Sequence, residues 1–289
     1  MDDERFYFGY GSNLNDADWE AWCNKRGADP TSMKCIGSAW LLDHSMRFHY
    51  HSTGRNGGAA DVVRDEKGTV VPGALFTLSD EGWELMDKKE GHPRHYQRGS
   101  VQVVTVEGQV VDAITYTVTP KKREASLVVP TEGYANLIRD GLEIRNLPIE
   151  HLISSIEKYD SNSRLQHVFV YGTLMRGESR WPQLEPWSSS EVEEGHIMGR
   201  LYHLGTYPGV RLDESGVVHG ELHRCEDIEK TLETLDLVEG HDEYQPGEGL
   251  YVRVPVSVQT VNGVVWAWTY VINDAPNPST WLPDGRWAS

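Results

Sequence analysis

The sequence predicts an α+β protein made of two copies of one small, β-barrel-like domain with flanking helices. Two observations carry that prediction. Five landmarks recur in the same order in the two halves. Phe8-Gly-Tyr-Gly-Ser-Asn-Leu14 returns as Phe169-Val-Tyr-Gly-Thr-Leu174, and Gly73-Ala-Leu-Phe returns loosely as Gly220-Glu-Leu-His. Asp87-Lys-Lys-Glu-Gly matches Asp236-Leu-Val-Glu-Gly, Tyr96-Gln-Arg matches Tyr251-Val-Arg, and Ala113-Ile-Thr-Tyr matches Ala267-Trp-Thr-Tyr. In addition, β-rich segments outnumber helical ones in both halves, which favours a curved sheet over a helical bundle.

The elements follow in chain order. An apolar strand runs into each Tyr-Gly turn. Residues 16–26 have a capping start and Gly27 as a stop, so a helix is expected there. Segments 79–86 and 225–235 read as helices leading into the two Asp-x-x-Glu-Gly landmarks. Residues 101–106 and 254–258 alternate as half-buried strands do, and 110–118 and 264–272 are β-rich. A helical pair spans about residues 132–159, with Pro148 suited to a first helical turn. The polar stretch 160–164 then reads as a linker, giving domains 1–160 and 161–289. The second copy is shorter before its Asp-x-x-Glu-Gly and longer after it, differences that suit surface loops.

Composition narrows the function. A formal net charge of −17 argues against a nucleic-acid partner, which needs Lys and Arg to neutralise phosphates. No apolar run approaches the roughly 20 residues of a membrane span, and the acidic start at residues 1–5 is unlike a signal peptide, so a cytoplasmic protein is expected. Cys23, Cys35 and Cys225 form no C-x-x-C pattern, so no disulfide framework is expected. The closest histidine pairs, His49/His51 and His92/His95, lack companion ligands at zinc-site spacing, and no metal site is expected.

What survives in both halves is a Tyr-Gly-(Ser/Thr) turn and a glutamate followed by glycine. A glycine turn lets backbone N–H groups approach a ligand and form a nest for an anion, and in the first copy a helix start at Asp16 adds to that preference. The plain alternative is a turn glycine. Glu90 and Glu239 each follow a helical apolar run; partly buried, such a carboxylate gains a raised pKa and shuttles protons, whereas on the surface it is merely solvated. No Gly-x-Ser-x-Gly elbow or phosphate loop accompanies them. An anion-binding turn with one proton shuttle and no nucleophile suits intramolecular acyl transfer.

These residues resemble a known family. Tyr10, Gly11, Ser12, Asn13 and Leu14, with Leu85-Met-Asp-Lys-Lys-Glu90-Gly and Tyr96, resemble the γ-glutamylcyclotransferases, as do Arg55-Asn-Gly-Gly-Ala-Ala-Asp-Val62 and Val71-Pro-Gly-Ala-Leu-Phe. Tyr171, Gly172, Thr173 and Leu174 with Met175-Arg-Gly177 and Leu235-Asp-Leu-Val-Glu239-Gly resemble the γ-glutamylamine cyclotransferase branch, also called AIG2-like, and Tyr207-Pro-Gly209 and Leu250-Tyr-Val-Arg253 agree. The resemblance implies a cofactor-free enzyme that releases 5-oxoproline from small γ-glutamyl amides. In such an enzyme the substrate's own α-amine attacks its γ-carbonyl. By position, Glu90 and Glu239 would be the proton shuttles, and the loops 10–14 and 171–174 would hold the glutamyl group and the developing oxyanion.

Two features depart from the pattern or stand outside it. Leu147-Pro-Ile-Glu-His151 places a histidine where classical members carry a site-lining tyrosine; an exposed helix histidine is the plain alternative. Trp181 and Trp187 follow the second loop, where they would either line an apolar amine pocket or belong to the core. Two other functions stay open: a γ-glutamyl-binding module without catalysis, and one catalytic domain with a structural twin. The leaving amine and the oligomeric state have no signature in the sequence.

Overall fold

The computed structural model describes residues 5–159 and 163–287, so most of the expected linker, residues 160–162, lies outside the described residues. The chain divides into two compact units, Met1–Val103 with Val111–Ser163, and Val104–Val110 with Arg164–Ser289.

The first unit begins with β1 (Phe6–Gly9) and α1 (Asp16–Asn24), followed by β2 (Met33–Leu42), the hairpin β3 (His44–Ser52) and β4 (Gly57–Arg64), and β5 (Val70–Leu78). Next come α2 (Asp80–Glu90), β6 (Tyr96–Thr105), β7 (Val110–Val118), α3 (Glu132–Glu143) and α4 (Glu150–Glu157). Strands β1, β5, β2, β6 and β7 close into a barrel in that order, and β1 pairs in parallel with β7. The hairpin β3–β4 forms a separate two-stranded sheet.

The second unit repeats the plan with β8 (His167–Val170), a one-turn α5 (Trp181–Leu184), β9 (Ser188–Met198), β10 (Arg200–His203), β11 (Pro208–Arg211) and β12 (Val217–Cys225). Then follow α6 (Ile228–Glu239), β13 (Tyr251–Thr260), β14 (Gly263–Ile272) and the short β15 (Trp281–Leu282). Its barrel runs β12-β8-β14-β13-β9, with β8 and β14 parallel, and β10, β11 and β15 make the side sheet. The strand order is that of the first barrel, element for element.

The repeated glycines have a steric cause. A Cβ on Gly73 would stand 2.5 Å from the Gly9 carbonyl oxygen and 2.6 Å from the Phe8 ring; one on Gly220 would stand 2.2 Å from the Val170 oxygen and 2.8 Å from the Phe169 ring. Each barrel thus closes an aromatic ring over a neighbouring backbone that tolerates no side chain. The glycine after each glutamate is a helix stop: Gly91 and Gly240 adopt φ of 65° and 67°, the left-handed C-cap that glycine takes without strain.

Some expectations change. The cap of α1 is Asn15, whose side chain accepts from the Asp18 N–H, and the helix ends at Asn24, short of Gly27. Pro148 precedes α4, whose N-cap is Ile149, and so lies outside its first turn. Strand β13 is buried along most of its length rather than on alternate positions. Its Arg253, fully buried, reaches Asp236 of α6, so a polar residue on the strand is covered by a helix instead of water.

Candidate active site

In the first unit β1 runs directly into the Tyr-Gly turn. The Tyr10 hydroxyl donates to the Tyr116 carbonyl on β7 over 2.6 Å, which ties the turn to the neighbouring barrel strand. Ser12–Leu14 then form a short 3-10 turn closed by the Leu14 N–H on the Gly11 oxygen at 3.0 Å. That geometry leaves the leading N–H groups of the turn without a partner inside it. It also turns Asn13 inward, where its amide donates to the Glu90 carboxylate at 2.8 Å and to the Tyr7 hydroxyl at 2.7 Å. The last residue of α2 is thereby joined to the loop that ends β1, although 77 positions separate them in sequence.

Tyr10, Gly11, Ser12, Asn13 and Glu90 share one open hollow of about 1060 Å³. Leu14 does not line it; it is fully buried and packs against Gly141, where a Cβ would come within 2.5 Å of the Leu14 Cβ. Burial raises the Glu90 pKa above the usual carboxylate range, opposed by Lys89, the Asn13 amide and Arg55. The polar wall is a second network: Arg55 donates to Asp18 at 2.8 and 3.1 Å and to the Ser12 hydroxyl at 2.9 Å, and Lys89 reaches the same aspartate at 2.9 Å. Burial opposes ionisation of Asp18, but the two cations outweigh it and hold the carboxyl near about 2.

The second unit builds the same corner. The Tyr171 hydroxyl donates to the Tyr270 carbonyl at 2.6 Å, and the Met175 N–H closes the turn on the Gly172 oxygen at 2.8 Å. Tyr171, Gly172, Thr173, Leu174 and Glu239 line a hollow of about 370 Å³. Leu174 stands where Asn13 stands in the first copy, so this loop brings no amide to the glutamate. The charged neighbour of Glu239 is Arg180, 3.8 Å away, and burial outweighs it, pushing the carboxyl up to about 7.

Sequence reasoning missed what positions both glutamates. Asp87, one turn before Glu90, accepts from the Tyr116 hydroxyl at 2.7 Å and from Arg98 at 2.8 Å. Asp236, one turn before Glu239, accepts from the Tyr270 hydroxyl at 2.7 Å and lies 3.4 Å from Arg253. Each aspartate pins its helix to the last two strands of its barrel. The signal was present, since all six residues lie in the repeated landmarks. Tyr96 and Tyr251 are a further repeated pair; their hydroxyls donate to the carbonyls of Ala60 at 2.7 Å and Pro208 at 2.5 Å.

His151 is neither exposed nor site-lining. It is buried in α4, and burial pushes its pKa down to about 3, leaving a neutral ring. The tyrosine that faces the first turn is Tyr134 of α3, whose hydroxyl accepts from the Ala60 N–H at 3.3 Å and would lie 3.6 Å from a Cβ on Gly11. Trp181 sits against His223, with ring centroids 5.4 Å apart, and neither it nor Trp187 lines the second hollow. His49 is paired with Asp61 at 2.7 Å and His95 with the Tyr50 hydroxyl at 2.6 Å. Among the described residues, no group of three or more His, Cys, Asp or Glu side chains could hold a metal ion. None of the helices described is long and apolar enough to cross a membrane.

A family model for gamma-glutamyl cyclotransferase, AIG2-like, matches residues 7–136 and again 168–289. The chain is 33% identical over 112 residues to gamma-L-glutamyl-butirosin B gamma-glutamyl cyclotransferase of Niallia circulans, covering 38% of this chain and 68% of that one. It is 32% identical over 129 residues to a Vibrio cholerae protein named, provisionally, as a gamma-glutamylcyclotransferase, covering 43% of this chain and 96% of that one. Among solved structures, YkqA of Bacillus subtilis aligns along 96% of this chain and 88% of its own, at 16% identity and a TM-score of 0.38.

Proposed function

This chain belongs to the gamma-glutamyl cyclotransferase, AIG2-like family, and we propose that each of its units releases 5-oxoproline from small γ-glutamyl amides. The observation that carries this is the repeated corner in which one glutamate, the half-buried Glu90 or the buried Glu239, shares a hollow with the turn that ends its barrel's first strand. The substrate's α-amine attacks its own γ-carbonyl carbon, forming the ring C–N bond. The C–N bond to the leaving amine then breaks. The glutamate takes the proton released by the attacking nitrogen and returns one to the departing amine, so no proton is left over. Burial raises both carboxyls, Glu239 to about 7, which makes each a better base than an ordinary carboxylate while it still gives its proton up. Backbone N–H groups of the turns at 11–13 and 172–174 stabilise the oxyanion. Because nucleophile and electrophile arrive on one molecule, the advantage of proximity over a bimolecular attack, of the order of 7–11 kcal/mol at best, is built into the substrate, and the site has only to hold its productive conformer.

Incubating the chain with γ-glutamyl amino acids and γ-glutamyl amines, and identifying the acidic product, tests the reaction. Expected is 5-oxoproline in equimolar amount with the free amine. Free glutamate in its place would mean hydrolysis and rule out cyclisation.

A further inference from the structure

Tyr96 and Tyr251 give the two sites a common ruler. Their hydroxyls bond the carbonyls of Ala60 and Pro208, so those two residues occupy equivalent wall positions, and Ala59 corresponds to Tyr207. All four line their respective hollows. The first site therefore has two methyl side chains where the second has a phenol and a pyrrolidine ring. Pro208 lies directly on the second turn: a Cβ on Gly172 would stand 2.3 Å from the Pro208 Cγ. Tyr207 packs edge-on to Tyr251 with centroids 6.5 Å apart, closing the wall with rings.

The backbone makes the same distinction. Ala60 has an N–H, and it holds the Tyr134 hydroxyl at 3.3 Å, setting α3 as a polar back wall. Proline has no N–H to offer, and among the described residues no α-helix follows β14. The first hollow also faces Arg55 and Lys89, two cations sharing the single carboxylate of Asp18, whereas the lining of the second has Arg180 beside Glu239. The two hollows measure about 1060 and 370 Å³.

We infer that Ala59-Ala60 and Tyr207-Pro208 set the size of the amine each site releases. The first site takes γ-glutamyl amides of bulky, polar amines, and the second takes slender ones only. This rests on the cyclotransferase reading for the identity of the glutamyl group, but it is testable by binding alone.

Calorimetry on the full chain carrying Glu90→Gln and Glu239→Gln, which leaves ligands uncleaved, counts the sites. With γ-glutamyl methylamide two molecules should bind per chain; with γ-glutamyl-trialanine, one. Adding Tyr207→Ala should open a second trialanine site, with affinity gained by roughly tenfold or more, the scale at which a pocket rejects surplus bulk. Tyr207→Phe should leave the count at one, and Pro208→Ala gives an independent opening should Tyr207→Ala fold poorly. Two trialanine sites before any opening, or one after both, would overturn the inference. The counts come from binding, so a failure of the unmodified chain to make 5-oxoproline would mimic neither result.

Discussion

Asn13 donates its amide to the Glu90 carboxylate at 2.8 Å, and the second copy has Leu174 in place of that asparagine. The two glutamates are consequently held by different means: one by a hydrogen bond from its own turn, the other by burial near an arginine. Replacing Asn13 by Ala should free the Glu90 carboxylate to rotate. Steady-state kinetics of the Glu239→Gln background should then show kcat falling by about 10²-fold, the scale of a displaced acid–base group, with KM changed far less. An unchanged kcat would remove Asn13 as a positioning residue.

Glu239, raised to about 7, sets a pH signature for the second site. The carboxylate is the form that accepts a proton, so in the Glu90→Gln chain kcat/KM should rise with pH and level off above about 7. A profile flat from pH 5 to 8 would contradict it.

The same group affects stability. A carboxyl whose folded pKa lies above its unfolded value binds more protons when folded, so its contribution is full below the unfolded pKa of about 4.5 and is lost as pH rises through 7. Glu239→Gln removes the buried charge and should raise the second unit's stability at pH 8 by up to about 3 kcal/mol, and little at pH 4, as read by denaturant unfolding. Equal gains at both pH values would mean that the carboxyl is not displaced from its ordinary range.

Gly172 and Gly11 should differ in tolerance. An added Cβ at Gly172 meets Pro208 at 2.3 Å, whereas at Gly11 its nearest contact is the Tyr134 hydroxyl at 3.6 Å. Gly172→Ala should therefore displace the second turn and reduce turnover in the Glu90→Gln chain by tenfold or more, about 1.4 kcal/mol. Gly11→Ala should cost the first site less, measured in the Glu239→Gln chain; the opposite ranking would contradict the placement of Pro208.

Much of this was legible in the sequence because the duplication exposed it. Barrel strands β7 and β14 were marked by β-rich runs, and α2 and α6 by the helical segments at 79–86 and 225–235, although both helices run on to Glu90 and Glu239. Contacts between distant segments were not legible. Asp87 and Asp236 were visible as repeated letters, but their role depends on closure of the barrel, which brings Tyr116 and Tyr270 to them. His151 misled for a related reason: its place in the sequence pattern suggested a site wall, while α4 turns it into the interior and α3 supplies Tyr134 instead.

The central claim is that Glu90 and Glu239 are the proton carriers of the two sites. Rates of 5-oxoproline release by the unmodified chain, the two single Glu→Gln variants and the double variant test it most directly, with circular dichroism confirming that each is folded. Each single variant should lose part of the activity and the double variant all of it. A folded double variant releasing 5-oxoproline at the unmodified rate would contradict the account.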